Sequence, residues 1–267
     1  MLFAETDVLI VGSGPAGSVT ARYAAEKGLR VTVIEQRKEV GVPVRCGELM
    51  PSVQEIEGMF PALDGAEELF DMPDSLKRRE IDGITLTDPK DRSYRFPFSG
   101  YTTDRDRFDQ HLMKRAQDAG AELILGCRMD TAGEGVAKTS MGDISYKLII
   151  GADGPGSRTA KSLGLPANKD AYPAVSSIAE GDFGSSVRMF FGGIAPGAYA
   201  WIIPKDNEAN VGIGFAPKFA QGDLTGYLDK FVESRDLTLT RRPEGKFVPS
   251  RGAVAKTYSE EGMLVGD

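Results

Sequence analysis

Asp7-Val8-Leu9-Ile10-Val11-Gly12-Ser13-Gly14-Pro15-Ala16-Gly17 is the stretch whose reading decides the fold of this 267-residue chain. Asp7 to Val11 is a short apolar run that stops at a glycine cluster, as a strand buried on both faces does. Residues 15–27, PAGSVTARYAAEK, follow as a small-residue helix with proline in its first turn and Gly28 as its stop. RVTVIE at 30–35 is a second, β-branched strand, so the chain opens as β-α-β. The glycines are spaced G-x-G-x-x-G between strand and helix, with Glu35 standing 18 positions beyond Gly17. Gly12 permits the tight turn, Gly14 lets backbone approach a pyrophosphate, and Gly17 lets helix and strand pack closely. The helix amino terminus adds free N–H groups and partial positive charge for phosphates. Glu35 is placed to accept from ribose hydroxyls and to repel a 2′-phosphate. The alternative is a glycine-rich turn with no ligand.

After Glu35 the pattern changes. A loop marked by glycine and proline, VGVPVRCGELMPS, stands where a simple dinucleotide domain would supply its third strand, so something is inserted here. Residues 81–101 alternate like short strands. Residues 104–119 put Phe108, Leu112, Met113 and Ala116 on one helical face and end at Gly120. AELILGC and, after a hairpin, YKLIIGADG give two more strands. Residues 171–215 lack helical periodicity and are rich in glycine and aromatics, which predicts an antiparallel sheet; 223–235 predict one amphipathic helix. The acidic run at 65–74 reads as a solvated helix turn and loop.

Composition narrows the function classes. With 41% hydrophobic and 27% charged residues the chain is an ordinary globular one. A net charge of −7 argues against nucleic acid and against attraction to anionic lipid, so any membrane contact must be apolar. No run of about 18 apolar residues is present and the amino terminus lacks a signal pattern. The expected location is cytoplasmic, with a peripheral seat on the inner face of the cell membrane as the other placement. Cys46 and Cys127 make no disulfide framework, and the single histidine, His111, excludes histidine triads and histidine-rich metal sites; no metal is expected.

GADGPGSR at 151–158 sets Asp153 in a glycine turn near Arg158, and GMLVGD ends the chain with Asp267 directly after a strand and Gly266. Together with the glycine turn, this constellation resembles the glutathione-reductase-like FAD proteins of the aromatic hydroxylase type, in which the aspartate of the G-D pair binds the ribityl chain. Four further segments narrow the likeness: PVRCGE at 43–48, DRDRFDQHL at 104–112, YAWIIPK at 199–205 and ANVGIG at 209–214. In order and spacing they resemble the geranylgeranyl reductases of archaeal lipid synthesis.

The resemblance implies an α/β fold: a glutathione-reductase-like Rossmann FAD-binding domain with an inserted antiparallel β-sheet substrate domain. The boundaries expected are 1–80, 100–165 and 246–267 for the FAD domain, and 81–99 and 166–245 for the substrate domain. It implies FAD contacts at Gly12, Gly14, Ala16, Gly17, Glu35, Cys46, Gly47, Arg105, Met129 (through its backbone), Asp153 and Asp267. Tyr199, Trp201, Pro204, Gly212 and Gly214 would line the isoprenoid cavity. Two departures stand out. The halogenase branch carries W-x-W-x-I-P, from which Tyr199-Ala200-Trp201-Ile202-Ile203-Pro204 differs only in its first aromatic, so that motif alone does not separate the branches. Family members also continue past the G-D pair into a helix covering the flavin pyrimidine. This chain stops at Asp267, and the expectation is a fragment or a truncated gene model.

Several of these residues have plainer readings. Cys46 could fill space as a small hydrophobe, but neighbouring Arg45 would favour thiolate and Gly47 exposes backbone. Arg105 opens a helix, where a cation opposes the macrodipole, which points to a ligand rather than to the helix. Asp153 could serve only its own turn. Tyr199 and Trp201 alternate along a strand, which core packing explains as well as a cavity does. Cys127 reads as packing and His111 as a solvated helix position.

The chemistry implied is alkene reduction on the geranylgeranyl chains of membrane ether lipids. A reduced flavin supplies hydride, a dry cavity holds the alkene, and Cys46, as the catalytic residue, positions the alkene or relays a proton. Two other readings stay open: an oxygen-using monooxygenase or halogenase of the same fold, and a non-catalytic FAD electron carrier. The partners expected are the isoprenoid lipid and an external electron donor. A nicotinamide, a deazaflavin and a ferredoxin are equally compatible with the sequence.

Overall fold

A computed structural model describes residues 2–70, 72–166, 171–220, 222–250, 252 and 254–267, with the side chains of Leu2 and Phe3 left out. In chain order the elements are β1 (Leu2–Val11), α1 (Pro15–Glu26), β2 (Val31–Glu35), β3 (Leu49–Pro51), α2 (Val53–Met59), α3 (Ala66–Phe70), β4 (Lys77–Thr87) and β5 (Ser93–Thr103). Then come α4 (Arg105–Asp118), β6 (Glu122–Leu125), β7 (Met129–Gly133), β8 (Val136–Thr139), β9 (Gly142–Gly151) and α5 (Arg158–Ser162). The chain goes on through β10 (Ala171–Glu180), β11 (Ser186–Phe190), β12 (Ala200–Pro204), β13 (Glu208–Gly214), α6 (Leu224–Ser234), β14 (Glu244–Pro249) and β15 (Gly262–Leu264).

These elements form two units. The first comprises residues 1–44, 105–171 and 249–267, and the second residues 45–104 and 172–248. The sequence boundaries had assigned 45–80 and 100–104 to the first. Hydrogen bonding explains the difference: β3 pairs with β5, and β4 pairs with both β5 and β11, so that stretch is committed to the second sheet.

The first unit is built on a sheet in the order β6-β2-β1-β9-β8-β7, with β15 added parallel to β9. The missing third strand after Glu35 is β6, which arrives beyond the insertion and pairs parallel with β2. Alternation along β1 feeds two cores. Val8 and Ile10 pack with Ala21 and Ala25 of α1 and Met113 and Ala116 of α4, while Leu9 and Val11 pack with Ile34, Cys127, Met129 and Ile149. Both faces of the strand are therefore covered, as its unbroken apolar run requires. The helix face predicted from Phe108, Leu112, Met113 and Ala116 is the buried face of α4, and Cys127 packs as expected.

The second unit has an eight-stranded sheet in the order β14-β10-β13-β12-β11-β4-β5-β3. The pairs β10–β13, β13–β12, β12–β11, β4–β5 and β3–β5 are antiparallel; β11–β4 is parallel. α6, capped by the Asp223 side chain, buries Leu228 and Phe231 against Phe190, Ile202, Val211 and Ile213. The opposite face gathers Ile81, Ala174, Val187, Trp201 and Ile203.

Candidate functional site

In the first unit the glycine turn is tied into the sheet by its backbone, since Gly12 N–H donates to the Ile34 carbonyl and Ala152 N–H to the Val11 carbonyl, both at 2.8 Å. Gly12 has φ +106°, and a Cβ there would lie 2.3 Å from the Ala152 carbonyl oxygen. A Cβ at Gly17 would lie 2.0 Å from the Gly12 oxygen. Gly14 differs, having no atom within 4 Å of its Cβ position. It caps α1 without any side-chain bond, which leaves the first N–H groups of the helix without a side-chain partner at the cap. That cradle suits a phosphate group.

Glu35 ends β2 beside this turn. Its Oε2 accepts from Ser13 N–H at 3.1 Å and Ser13 Oγ at 3.0 Å, and its Oε1 accepts from Arg37 N–H at 2.9 Å. The carboxylate thus shapes the turn and keeps lone pairs on Oε1 for a ribose hydroxyl. A cavity of about 230 Å³ here is bordered by Gly12, Gly14, Glu35, Met129 and Asp153. Arg158 also lines it, with Arg37 and Arg128, two cations that the sequence did not single out; the three suit a dinucleotide's phosphates. Asp153 and Gly154 continue into a neighbouring cavity of about 300 Å³ that Gly266 and Asp267 complete. Gly266, at φ +77°, passes so close to the start of α1 that a Cβ would be 2.9 Å from the Ala16 Cβ. Residues far apart in sequence thus meet at one helix end, and the set fits an ADP-bearing cofactor.

Three of the residues expected at the cofactor also have partners within the chain. Asp153 is spent on its own loop: it accepts from Ser157 Oγ at 2.6 Å, Arg158 N–H at 2.8 Å, and Thr159 N–H at 3.0 Å and Oγ1 at 3.2 Å. The Met129 carbonyl accepts from Arg158 Nη1 at 3.1 Å. Arg105 is held by Asp109, with Nη2 3.0 Å from Oδ1, and lies over the Phe108 ring. Burial raises the Asp109 pKa even against Arg105, so this pair explains a cation at the helix start without a ligand.

Cys46 belongs to the second unit. Glu48 N–H donates to its Sγ at 3.3 Å, and its carbonyl accepts from Asn210 Nδ2 at 3.3 Å. Asn210 Oδ1 in turn accepts from the Trp201 indole N–H at 2.8 Å. The loop and the aromatic strand are therefore joined by one hydrogen-bonded chain, centred on an asparagine that sequence reading passed over. Arg45 is exposed. A Cβ on Gly47 would press on Ile203 Cδ1 at 2.8 Å. Glu48, at φ +70° and 4% exposed, lies 3.2 Å from Lys205 Nζ, which also meets Asp104 Oδ1 at 2.8 Å. Burial works against the Lys205 ammonium, but Glu48 and Asp104 outweigh it and its pKa lies above the ordinary value. Asp104 is likewise held below the usual carboxylate range, its burial outweighed by Lys205 and Arg78.

Of the cavity residues expected, only Tyr199 is exposed, at 41%. Trp201 is 7% exposed and lies across β13: a Cβ at Gly212 would be 2.3 Å from its Cζ2, so that glycine makes room for the indole. Pro204, Gly212 and Gly214 are buried in strands covered on both faces. Phe191, Tyr199 and Trp201 form a ladder with centroid spacings of 5.9 and 6.0 Å, open at its Phe191 and Tyr199 end. A separate cleft of about 890 Å³, not anticipated, lies between α2, β4 and β5 and includes Val53, Phe70, Met72, Phe98 and Tyr101. Among the described residues no helix is long and apolar enough to cross a membrane.

Comparison with known proteins gives consistent matches. A family model described as geranylgeranyl reductase catalytic domain matches residues 175–252, and one described as NAD(P)-binding Rossmann-like domain matches residues 10–60. Digeranylgeranylglycerophospholipid reductase 2 of Methanosphaera stadtmanae is 31% identical over 289 residues, covering 98% of this chain and 71% of that protein. A solved structure of a geranylgeranyl bacteriochlorophyll reductase-like protein from Thermoplasma acidophilum matches at TM-score 0.86 and 29% identity, covering 98% of this chain and 71% of that one. A triple mutant of flavin-dependent brominase Bmp2 matches at TM-score 0.76 and 16% identity over 98% of this chain and 72% of its own, a likeness of fold alone.

Proposed function

Because the chain belongs to the geranylgeranyl reductase family, of the digeranylgeranylglycerophospholipid reductase type, we propose that it is an FAD-dependent oxidoreductase saturating geranylgeranyl double bonds of membrane ether lipids. The observation that carries this reading is the meeting of the glycine turn, Glu35 and the Gly266-Asp267 pair around the amino end of α1. Bound there, FAD supplies hydride once reduced. Gly14 and the free N–H groups of α1 receive the pyrophosphate, Glu35 accepts from the adenosine ribose, and Asp267 accepts from the ribityl chain. Arg37, Arg128 and Arg158 balance the phosphate charge. Tyr199 and Phe191 offer an aromatic surface to the isoprenoid chain, backed by Trp201.

An isolated alkene has no polar group to grip, so the protein's own part is to hold it dry and to deliver a proton to the carbon that does not take the hydride. Cys46 is the group we assign to that proton. Reducing equivalents come from an external donor, which a chemical reductant replaces in the test. The protein is reduced anaerobically with dithionite and mixed with digeranylgeranylglyceryl phospholipid. Flavin reoxidation with product mass rising by 2 Da per reduced bond is expected, on hydrogen stoichiometry. No reoxidation and no mass change would remove the reading. A halogenated or oxygenated product in air would favour the brominase-like alternative that the shared fold keeps in view.

A further inference from the structure

Asn210 stands on β13 two positions before Gly212, the register partner of Trp201, so it shares that residue's face of the sheet, and it is 5% exposed. Its amide has one possible orientation. Oδ1 accepts from the indole N–H at 2.8 Å, while Nδ2 donates to the Cys46 carbonyl at 3.3 Å and lies 3.5 Å from Glu48 Oε2. An indole nitrogen only donates, and a carbonyl or carboxylate only accepts, so turning the amide over would set like against like at both ends. A buried asparagine often does no more than satisfy its own hydrogen bonds. This one joins a strand to a loop 164 positions away in sequence that does not keep its shape unaided. Glu48 adopts φ +70°, a region that non-glycine residues enter at a cost, and Lys205 Nζ fixes the same Glu48 oxygen at 3.2 Å. The indole is seated too, in the room left by Gly212 and with Lys246 Nζ 5.5 Å from its ring centre.

We infer that Asn210 is a positioning residue of the reaction, holding Trp201 and the Cys46-Gly47-Glu48 loop in one register so that the thiol stays aligned with the alkene on the aromatic strand. The inference rests on the proposed function and on the role given there to Cys46. Asn210 acts through its two partners and moves no proton itself. A misplacement of about 1 Å between reacting groups costs on the order of 100-fold in rate, so a side chain that fixes both the alkene's support and the proton donor governs turnover.

Asn210→Leu nearly keeps the volume and removes both bonds. With FAD-loaded, dithionite-reduced protein and digeranylgeranylglyceryl phospholipid, it is expected to lower kcat about tenfold or more and to leave KM within about twofold. In a Cys46→Ala background the same substitution should change kcat by less than about twofold, because the group it positions is gone. Trp201 is the only tryptophan of the chain, so its emission maximum, which loss of the indole's acceptor should shift, reports the other arm without any turnover. Equal losses of kcat in the two backgrounds, an undiminished kcat in Asn210→Leu, or an unmoved emission maximum would each overturn the inference. Asn210→Ala gives a second variant if the first fails to fold. Failure of the underlying reading looks different: a parent protein that leaves the lipid unchanged sinks the proposed function before any substitution, and a Cys46→Ala protein as fast as its parent sinks the thiol's role and this inference together.

Discussion

At Gly14 no atom lies within 4 Å of a would-be Cβ, whereas at Gly17 the Gly12 carbonyl oxygen would be 2.0 Å away. The two glycines, three positions apart, therefore fail differently when substituted. Gly14→Ala should fold, losing about 1 kcal/mol or less at the helix cap, yet bind FAD at least about tenfold more weakly because its methyl enters the pyrophosphate seat. Gly17→Ala forces backbone apart and should lower Tm sharply with or without flavin. Thermal unfolding and flavin fluorescence titration separate the two, and equal affinity in Gly14→Ala would move the pyrophosphate elsewhere. At this scale the turn and Glu35 were legible because glycine spacing and a strand-end acid carry their own geometry. Lys246, Lys205 and Asn210 were not, because a polar residue in a strand reads as solvent-facing until the sheet shows which face is covered.

β12 and β13 run through the middle of their sheet with both faces covered, and the polar groups they bury must find partners there. Lys205, just past β12, does so with Glu48 and Asp104 from two other segments. Replacing Lys205 by Met strands the Glu48 carboxylate, 5% exposed at the side chain, and should cost about 3–5 kcal/mol in urea unfolding at neutral pH. The pH dependence follows from the shifts. Lys205 is raised in the folded state, so its contribution holds at neutral pH and is lost only as pH climbs through that raised value. Asp104 is lowered, so its contribution is present above its ordinary pKa near 4 and is lost as pH falls through the folded value. Asp104→Asn should therefore flatten the acid limb of stability below about pH 4; an acid limb as steep as in the parent protein would show that this pair is not linked to folding. The elements themselves were largely legible: α1, α4 and α6 announce their ends, and β1 announces its two covered faces. Which strands pair was not, because β3, β4 and β5 lie far in sequence from β11, and no periodicity encodes a parallel partner across an insertion.

Each of the two units is assembled from separated stretches, and the chain passes between them near residues 44, 104, 171 and 248. The sequence showed an insertion after Glu35 but placed its boundary too late, since alternation in 81–101 was visible while the short β3 and the irregular start of β4 were not. The interleaving has a consequence for the cofactor site, whose walls include residues 12–17, 35–37, 151–158 and 264–267 of the first unit. A ligand that binds only the assembled site stabilises all four stretches together by RT ln(1 + [L]/Kd). At FAD concentrations of about 100 Kd, amides there that exchange through opening of the unit should slow by about 100-fold in hydrogen-exchange mass spectrometry. Slowing confined to 12–17 and 35–37 would mean a nucleotide gripped by the β-α-β motif alone, with Asp267 taking no part. Joint slowing at 264–267 requires that the last strand close on the flavin side of the same ligand, which is what the approach of Gly266 to Ala16 leads one to expect.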